Sequence, residues 1–219
     1  MITILLLIPI LFLCFFLLFI FSKHDFVLLR QNISLSEIFD RAVIGLLFAL
    51  VIGRLIFIVN DLNFSLLHVF RFFHLIKFPG ISMLGFFVGG ILIVYLLFRK
   101  KKGLGRIYDI FSLSFFPLFL FFLVTQGRAL PIVLITSAIA VLLFLYYIFV
   151  TSHHKYILRD GGISLILLLI ICISVFALQA LTSSTRAIVL GLSFAQILSV
   201  PIALATLVFI FTNQGKHGK

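Results

Sequence analysis

The chain has 219 residues, 63% of them hydrophobic and 11% charged, with a mean hydropathy of +1.36. A soluble domain is about 45–50% apolar and about 25% charged, and a chain this size cannot hide such an excess in one core behind a polar exterior. The composition implies an integral membrane protein and excludes soluble-enzyme, nucleic-acid-binding and disulfide-scaffold classes; the net charge of +11 then belongs to loops facing anionic lipid.

Seven stretches reach the ~20 mostly apolar residues that a membrane helix needs: 2–21, 42–60, 81–98, 108–125, 129–151, 161–181 and 188–212. The expected fold is therefore all-α and polytopic, a single membrane domain over 1–219. Continuous Leu, Ile and Phe runs exclude the alternation of an outer-membrane barrel. The first stretch has no Lys or Arg before its apolar run and no small-x-small site after it. Leu13 is also too large to precede a lipoprotein-type cysteine at Cys14. The stretch reads as a retained span with the N-terminus outside.

The basic residues sort by loop. Lys23, Arg30 and Arg41 surround the first loop, and Arg99, Lys100, Lys101, Lys102 and Arg106 fill the third. Lys155 and Arg159 lie in the fifth, and Lys216 and Lys219 in the tail. The other side holds Arg54, Arg71, Lys77, Arg128 and Arg186. The positive-inside rule places the odd loops and the C-terminus in the cytoplasm, which makes the chain a multi-pass protein of the cell membrane.

Polar residues interrupt this pattern at a few points. Asp40 and Asp109 sit at cytoplasmic helix ends, where they cap a helix or pair with Arg41 and Arg106. Arg54 closes the second span after Gly53, Arg128 follows Gln126-Gly127, and Arg186 follows Ser183-Ser184-Thr185. Two readings of these outer arginines stand. They gather around an anionic lipid headgroup, for which the guanidinium fork is suited, or each snorkels separately to water. Residues 63–77 carry His68, Arg71 and His74 three apart among Leu and Phe, an arc of about 120° on a helix. That pattern predicts a helix lying in the outer interface, with His74 as a candidate general base.

Gly80, Gly85 and Gly89 open the third span. They either let helices approach closely or leave room for a lipid. Arg99 to Lys102 stops that span on the inside. His153-His154 lacks further ligands, the two cysteines read as buried hydrophobes, and neither a metal nor a cofactor is expected. Gln196, with Ser193 and Ser199, reads as a hydrogen-bonding group between helices.

Several of these pieces, in this order, resemble the prolipoprotein diacylglyceryl transferase family. Ser36-Glu37-Ile38-Phe39-Asp40 followed by Ile52-Gly53-Arg54-Leu55 is similar to that family's second span. Gly80-Ile81-Ser82 through Gly89 resembles its Gly-rich third span, and Tyr108-Asp109-Ile110 the start of its fourth. Gln196-Ile197-Leu198-Ser199-Val200-Pro201 is similar to its last-span Gln-x-Leu-Ser-x-Pro pattern. The chain departs from the family at Leu84, which stands where the family has a His, and after Gly127-Arg128, where Ala129-Leu130-Pro131 follows and the family's Gly-Arg-x-Gly-Asn-Phe signature is not continued.

The resemblance implies transfer of diacylglycerol from phosphatidylglycerol to the cysteine thiol of a prolipoprotein signal peptide, both drawn from the membrane. Arg54, Arg128 and Arg186 would then hold the departing phosphate, and His74 is the base within reach of the outer face. Arg71, Gly80, Gly85 and Gly89 would line the headgroup site, while Asp40, Asp109 and Gln196 would be structural. Two other functions stay open: a non-catalytic relative that binds lipid or a membrane partner, and a transporter. The last predicts ionisable residues near the midplane, where few occur.

Overall fold

A computed structural model describes residues 2–23, 25–61, 80–101, 103–126, 146–147, 160–182 and 194–214. Among the described residues the chain is all-helical, with seven helices and no strand. They are α1 (Ile2–Lys23), α2 (Phe26–Arg30), α3 (Leu35–Asp61), α4 (Met83–Phe98), α5 (Leu104–Gln126), α6 (Gly162–Thr182) and α7 (Phe194–Gln214). Two of them contain segments long and apolar enough to cross a membrane, Leu35–Val59 and Leu104–Leu123. Shorter apolar helical segments run over Leu7–Lys23, Met83–Phe98, Gly162–Ala177 and Gln196–Thr212. The expected span over 129–151, apart from 146–147, and the expected interfacial helix over 63–77 lie outside the described residues.

The helices start where local chemistry dictates. α3 begins before the expected residue 42 because Ser34-Leu35-Ser36-Glu37 is a capping-box sequence, and Ser34 Oγ accepts from the Glu37 N–H at 3.1 Å. α2 was not expected at all. Asp25 nucleates it, its Oδ1 accepting from the N–H groups of Val27 and Leu28 at 3.0 and 3.2 Å. Pro9, Pro117 and Pro201 lie inside α1, α5 and α7. Such prolines are tolerated more readily in membrane helices than in soluble ones.

The chain divides into two compact units. One comprises Met1–Phe39, Phe98–Leu169 and Thr206–Lys219; the other comprises Asp40–Leu97 and Ile170–Ala205. In the first unit α1 packs along α5. Phenylalanine rings link the elements: Phe39 stacks on Phe15, Phe15 meets Phe115 edge-on, and Phe115 stacks on Phe111, which meets Phe98 edge-on.

Two carboxylates fix the turns of this unit. Asp25 Oδ2 accepts from Arg106 Nε at 2.8 Å in a buried ion pair. Asp109 accepts from the N–H groups of Gly161 and Ser164, both at 2.8 Å. Those are two of the orphan donors that open α6, so a side chain of α5 caps a different helix. The sequence reading left Asp109 to cap a helix or to pair with Arg106; the structure shows it capping the start of α6, and gives Arg106 the buried Asp25.

In the second unit α3 and α4 run antiparallel. A Cβ on Gly45 would lie 3.5 Å from Ile93, and one on Gly53 would lie 3.2 Å from the Phe86 backbone. Arg41 Nη1 donates to the Leu97 carbonyl at 2.9 Å, satisfying an orphan acceptor at the end of α4. Asp40 is exposed.

Val43, Ile44, Leu47, Phe48, Leu55 and Val59 form an exposed apolar stripe on α3, while Arg54, Arg106, Asp109 and Gln196 are buried. Cys14 and Cys172 are free and buried, as their apolar runs imply.

Candidate functional site

Arg54 is the focus of the second unit. It lies one turn before the end of the membrane-length segment of α3 and is 2% exposed. Its position follows from glycine packing. Gly53 lets the Phe86 backbone approach α3, and the Ser82 N–H donates to the Gly53 carbonyl at 3.0 Å. Ser82 also caps α4, its Oγ accepting from the Gly85 N–H at 3.3 Å. The segment 80–82 is thereby strapped across α3 beside Arg54.

Gly80 turns this strap with φ +142°, a conformation that L side chains rarely adopt. A Cβ there would also penetrate the Phe57 ring. That ring sits under the guanidinium, 5.5 Å from Arg54 Cζ. Arg54 Nη1 donates to the Gly80 carbonyl. The guanidinium is held from two sides, by a carbonyl and by an aromatic face.

Its other edge is empty-handed. Among the described residues, the buried Arg54 Nε and Nη2 have no hydrogen-bond partner, and no ion pair involves this side chain. Leaving a buried charged donor unsatisfied costs more than the ~1–3 kcal/mol of a neutral one. In the planar guanidinium the N–H groups of Nε and Nη2 point the same way. They form the side-on fork that matches two oxygens of a carboxylate or phosphate. The arrangement is preorganised for a small oxyanion, with the ring and carbonyl fixing the fork's direction.

The remaining sequence candidates fall into three groups. Gly80 contributes its carbonyl to Arg54. Gly85 and Gly89 are helix-contact positions, because the space beyond each is filled by Ile56 and Ile52 respectively. Gln196 is buried, and its Nε2 approaches the Phe176 carbonyl at 3.5 Å, joining α7 to α6, whereas Ser199 bonds back to the Gln196 carbonyl within α7. Arg71, His74, Arg128 and Arg186 lie outside the described residues, so their expected convergence on Arg54 does too. Among the described residues no cluster of His, Cys, Asp and Glu is suited to a metal ion.

Sequence reading missed Phe57 and Asp25. Phe57 had a signal, since residues three apart on a helix are neighbours. The partner of Asp25 is 81 positions away, and no local pattern announces such a pair. Comparison with protein-family models, curated proteins and solved structures finds no match to this chain.

Proposed function

We propose that this protein is a multi-pass protein of the cell membrane that binds the phosphate of an anionic phospholipid at Arg54. We further propose that it uses this site to transfer diacylglycerol from phosphatidylglycerol to the cysteine thiol of a prolipoprotein signal peptide. The proposed topology is seven spans, N-terminus outside and C-terminus cytoplasmic. It rests on the seven apolar stretches and on the asymmetry of the basic loops. The apolar outer stripe of α3 supports it as well, because such a surface is costly in water and neutral in lipid.

The observation that carries the proposal is the unpartnered Nε–Nη2 edge of a buried arginine. An ionised group inside a membrane segment is expensive and is retained where it serves a ligand or a pathway. In the proposed reaction the signal-peptide sulfur bonds to a glycerol carbon of the lipid. The carbon–oxygen bond to phosphate breaks, glycerol phosphate departs, and the thiol proton passes to a base. Charge grows on the departing phosphate, where a fixed guanidinium fork stabilises it without reorganising. In this reading Arg128 and Arg186 add further cations, roles that rest on the family resemblance, and His74, which does not stand at the family's His position, takes the proton because the sequence pattern puts it near the outer face.

A second reading has its own observation. Leu84 stands, by the resemblance, at the position of the family's His, and it is a buried aliphatic side chain, 1% exposed. A protein lacking that imidazole would bind the headgroup without transferring the lipid.

One experiment separates the two. The chain is expressed in cells depleted of their own transferase, and an apolipoprotein is followed by mass. A gain of one diacylglyceryl group that disappears with Arg54→Gln or Arg128→Ala is the expected result. No gain, with phosphatidylglycerol still retained by the purified protein and lost from Arg54→Gln, selects the binding role. Equal retention by both proteins overturns the site.

A further inference from the structure

The first unit carries a second feature, far simpler in chemistry than the Arg54 centre. The most basic loops of the sequence are tied together there. The Asp25–Arg106 pair joins the start of α2 to the start of α5. A Cβ on Gly103 would lie 2.5 Å from Gln31 Nε2 and 2.9 Å from a Val27 methyl, so the loop before α5 lies directly against α2. Lys101 Nζ stands 3.5 Å from Glu37 in the first turn of α3. Gly105 abuts the Asp160 carbonyl at the turn into α6. These contacts gather Lys23, Arg30, Arg99, Lys100 and Lys101, of which all but the last are exposed. The acids beside them are Glu37, already paired with Lys101, and the exposed Asp160; Asp25 is consumed by Arg106.

Among these cations α2 presents apolar side chains outward. Leu28 is buried and anchors the helix, while Phe26 is 70% exposed and Leu29 58% exposed. Phe26 and Leu29 are three residues apart, so they share one side of the helix. Lys23 precedes this pair and Arg30 follows it. Water favours neither exposed group. An aromatic and an aliphatic side chain flanked by cations is the arrangement of a segment lying in a membrane interface. The apolar groups enter the acyl boundary, and the cations meet the headgroups.

We propose that α2, with the rim of Lys23, Arg30, Arg99, Lys100 and Lys101, docks on a bilayer surface containing anionic phospholipid, Phe26 and Leu29 inserting as shallow wedges. Charge complementarity selects the occupant: with Lys101 and Glu37 paired to each other, the four cations Lys23, Arg30, Arg99 and Lys100 stand against the single carboxylate of Asp160. Under the topology above this surface is the cytoplasmic leaflet. The inference rests on the membrane-spanning part of that reading and is independent of the Arg54 site and of catalysis.

The chain contains no tryptophan, so Phe26→Trp introduces a single reporter indole. The full chain is placed in nanodiscs of phosphatidylcholine alone or with phosphatidylglycerol. The same measurement with Leu29→Trp guards against a local defect, since both positions are exposed. With phosphatidylglycerol, the expected result is blue-shifted emission, protection from iodide, and quenching by lipids brominated in the upper acyl chain. The triple variant Arg30→Gln, Lys100→Gln, Lys101→Gln loses the difference between the two lipid compositions, as does high salt. Water-like emission with full iodide access in both lipids overturns the proposal. So does equal quenching in both, which removes the anionic preference, and so does protection that appears only when cytosolic protein is added. A chain extracted from membranes by alkaline carbonate fails the membrane-spanning reading itself, and that outcome is distinct from all of these.

Discussion

At the scale of single residues, Arg54 is in a condition that proteins seldom keep without a ligand. Among the described residues, one nitrogen of its guanidinium has a carbonyl partner and two have none, although the side chain is almost fully buried. A buried charge whose donors are unsatisfied carries a desolvation cost that an apolar group of similar length does not. Arg54→Met is therefore expected to keep or raise the unfolding temperature in detergent free of anionic lipid. In the native protein, phosphatidylglycerol at a hundredfold excess over its Kd should add about 2.7 kcal/mol of stability, because it binds only the folded state. Arg54→Met should lose that increment, and Arg54→Lys should lose most of it, since an ammonium cannot reproduce the fork. Thermal unfolding during a lipid titration reads all three proteins. Equal stabilisation of Arg54→Met and the native chain would place the lipid elsewhere. This centre was half legible in the sequence. An arginine after a glycine at the outer end of an apolar run is visible by inspection. The strap that orients it was not, because Gly80 is 26 positions away and reaches Arg54 only through the Gly53–Phe86 approach of two helices.

At the scale of elements, apolar length predicted helices well and polar detail poorly. α4 and α6 begin within two residues of the positions expected from composition. α3 begins seven residues before the expected 42 because a cap overrides hydropathy. α2 is too short for periodicity to reveal, and it forms because a buried carboxylate caps it while also holding Arg106. That double duty makes a clean double-mutant cycle possible. Arg106→Met leaves the buried Asp25 carboxylate without this cation, and Asp25→Asn takes the carboxylate away from Arg106; each is expected to cost about 3–5 kcal/mol. Asparagine retains an acceptor for the Val27 and Leu28 N–H groups, so the cap survives in the pair of substitutions. Asp25→Asn with Arg106→Met should then cost markedly less than the two separately, with a coupling energy of ~1–3 kcal/mol. Chemical denaturation in detergent measures it. Strict additivity would mean that the 2.8 Å contact contributes nothing to the native state.

At the scale of the whole molecule, composition and structure point the same way: 63% of the residues are hydrophobic, and an apolar stripe is exposed on one of two helices long and apolar enough to cross a membrane. Orientation depends on a weaker force, the preference of Lys and Arg for the cytoplasmic side, and it accumulates over many residues. In the proposed topology twelve of the 17 basic residues lie in the odd loops and tail, and Arg99, Lys100, Lys101 and Lys102 are a third of those twelve. Removing that block should weaken the bias without removing a span. The native cysteines are both buried, so a cysteine introduced by Lys216→Cys can be labelled against a low background. In intact cells a membrane-impermeant maleimide should leave this position unlabelled, and labelling should appear once the membrane is opened. Changing all four residues of the Arg99–Lys102 block to Gln should yield a mixed population, with part of the chain labelled before opening. The remaining eight cations still favour the original side, so the inverted fraction should stay the minority. Labelling of Lys216→Cys in intact cells with the basic block present would invert the proposed topology. It would put the α2 surface outside and move Arg54 to the opposite end of the membrane from the signal peptides it is proposed to serve.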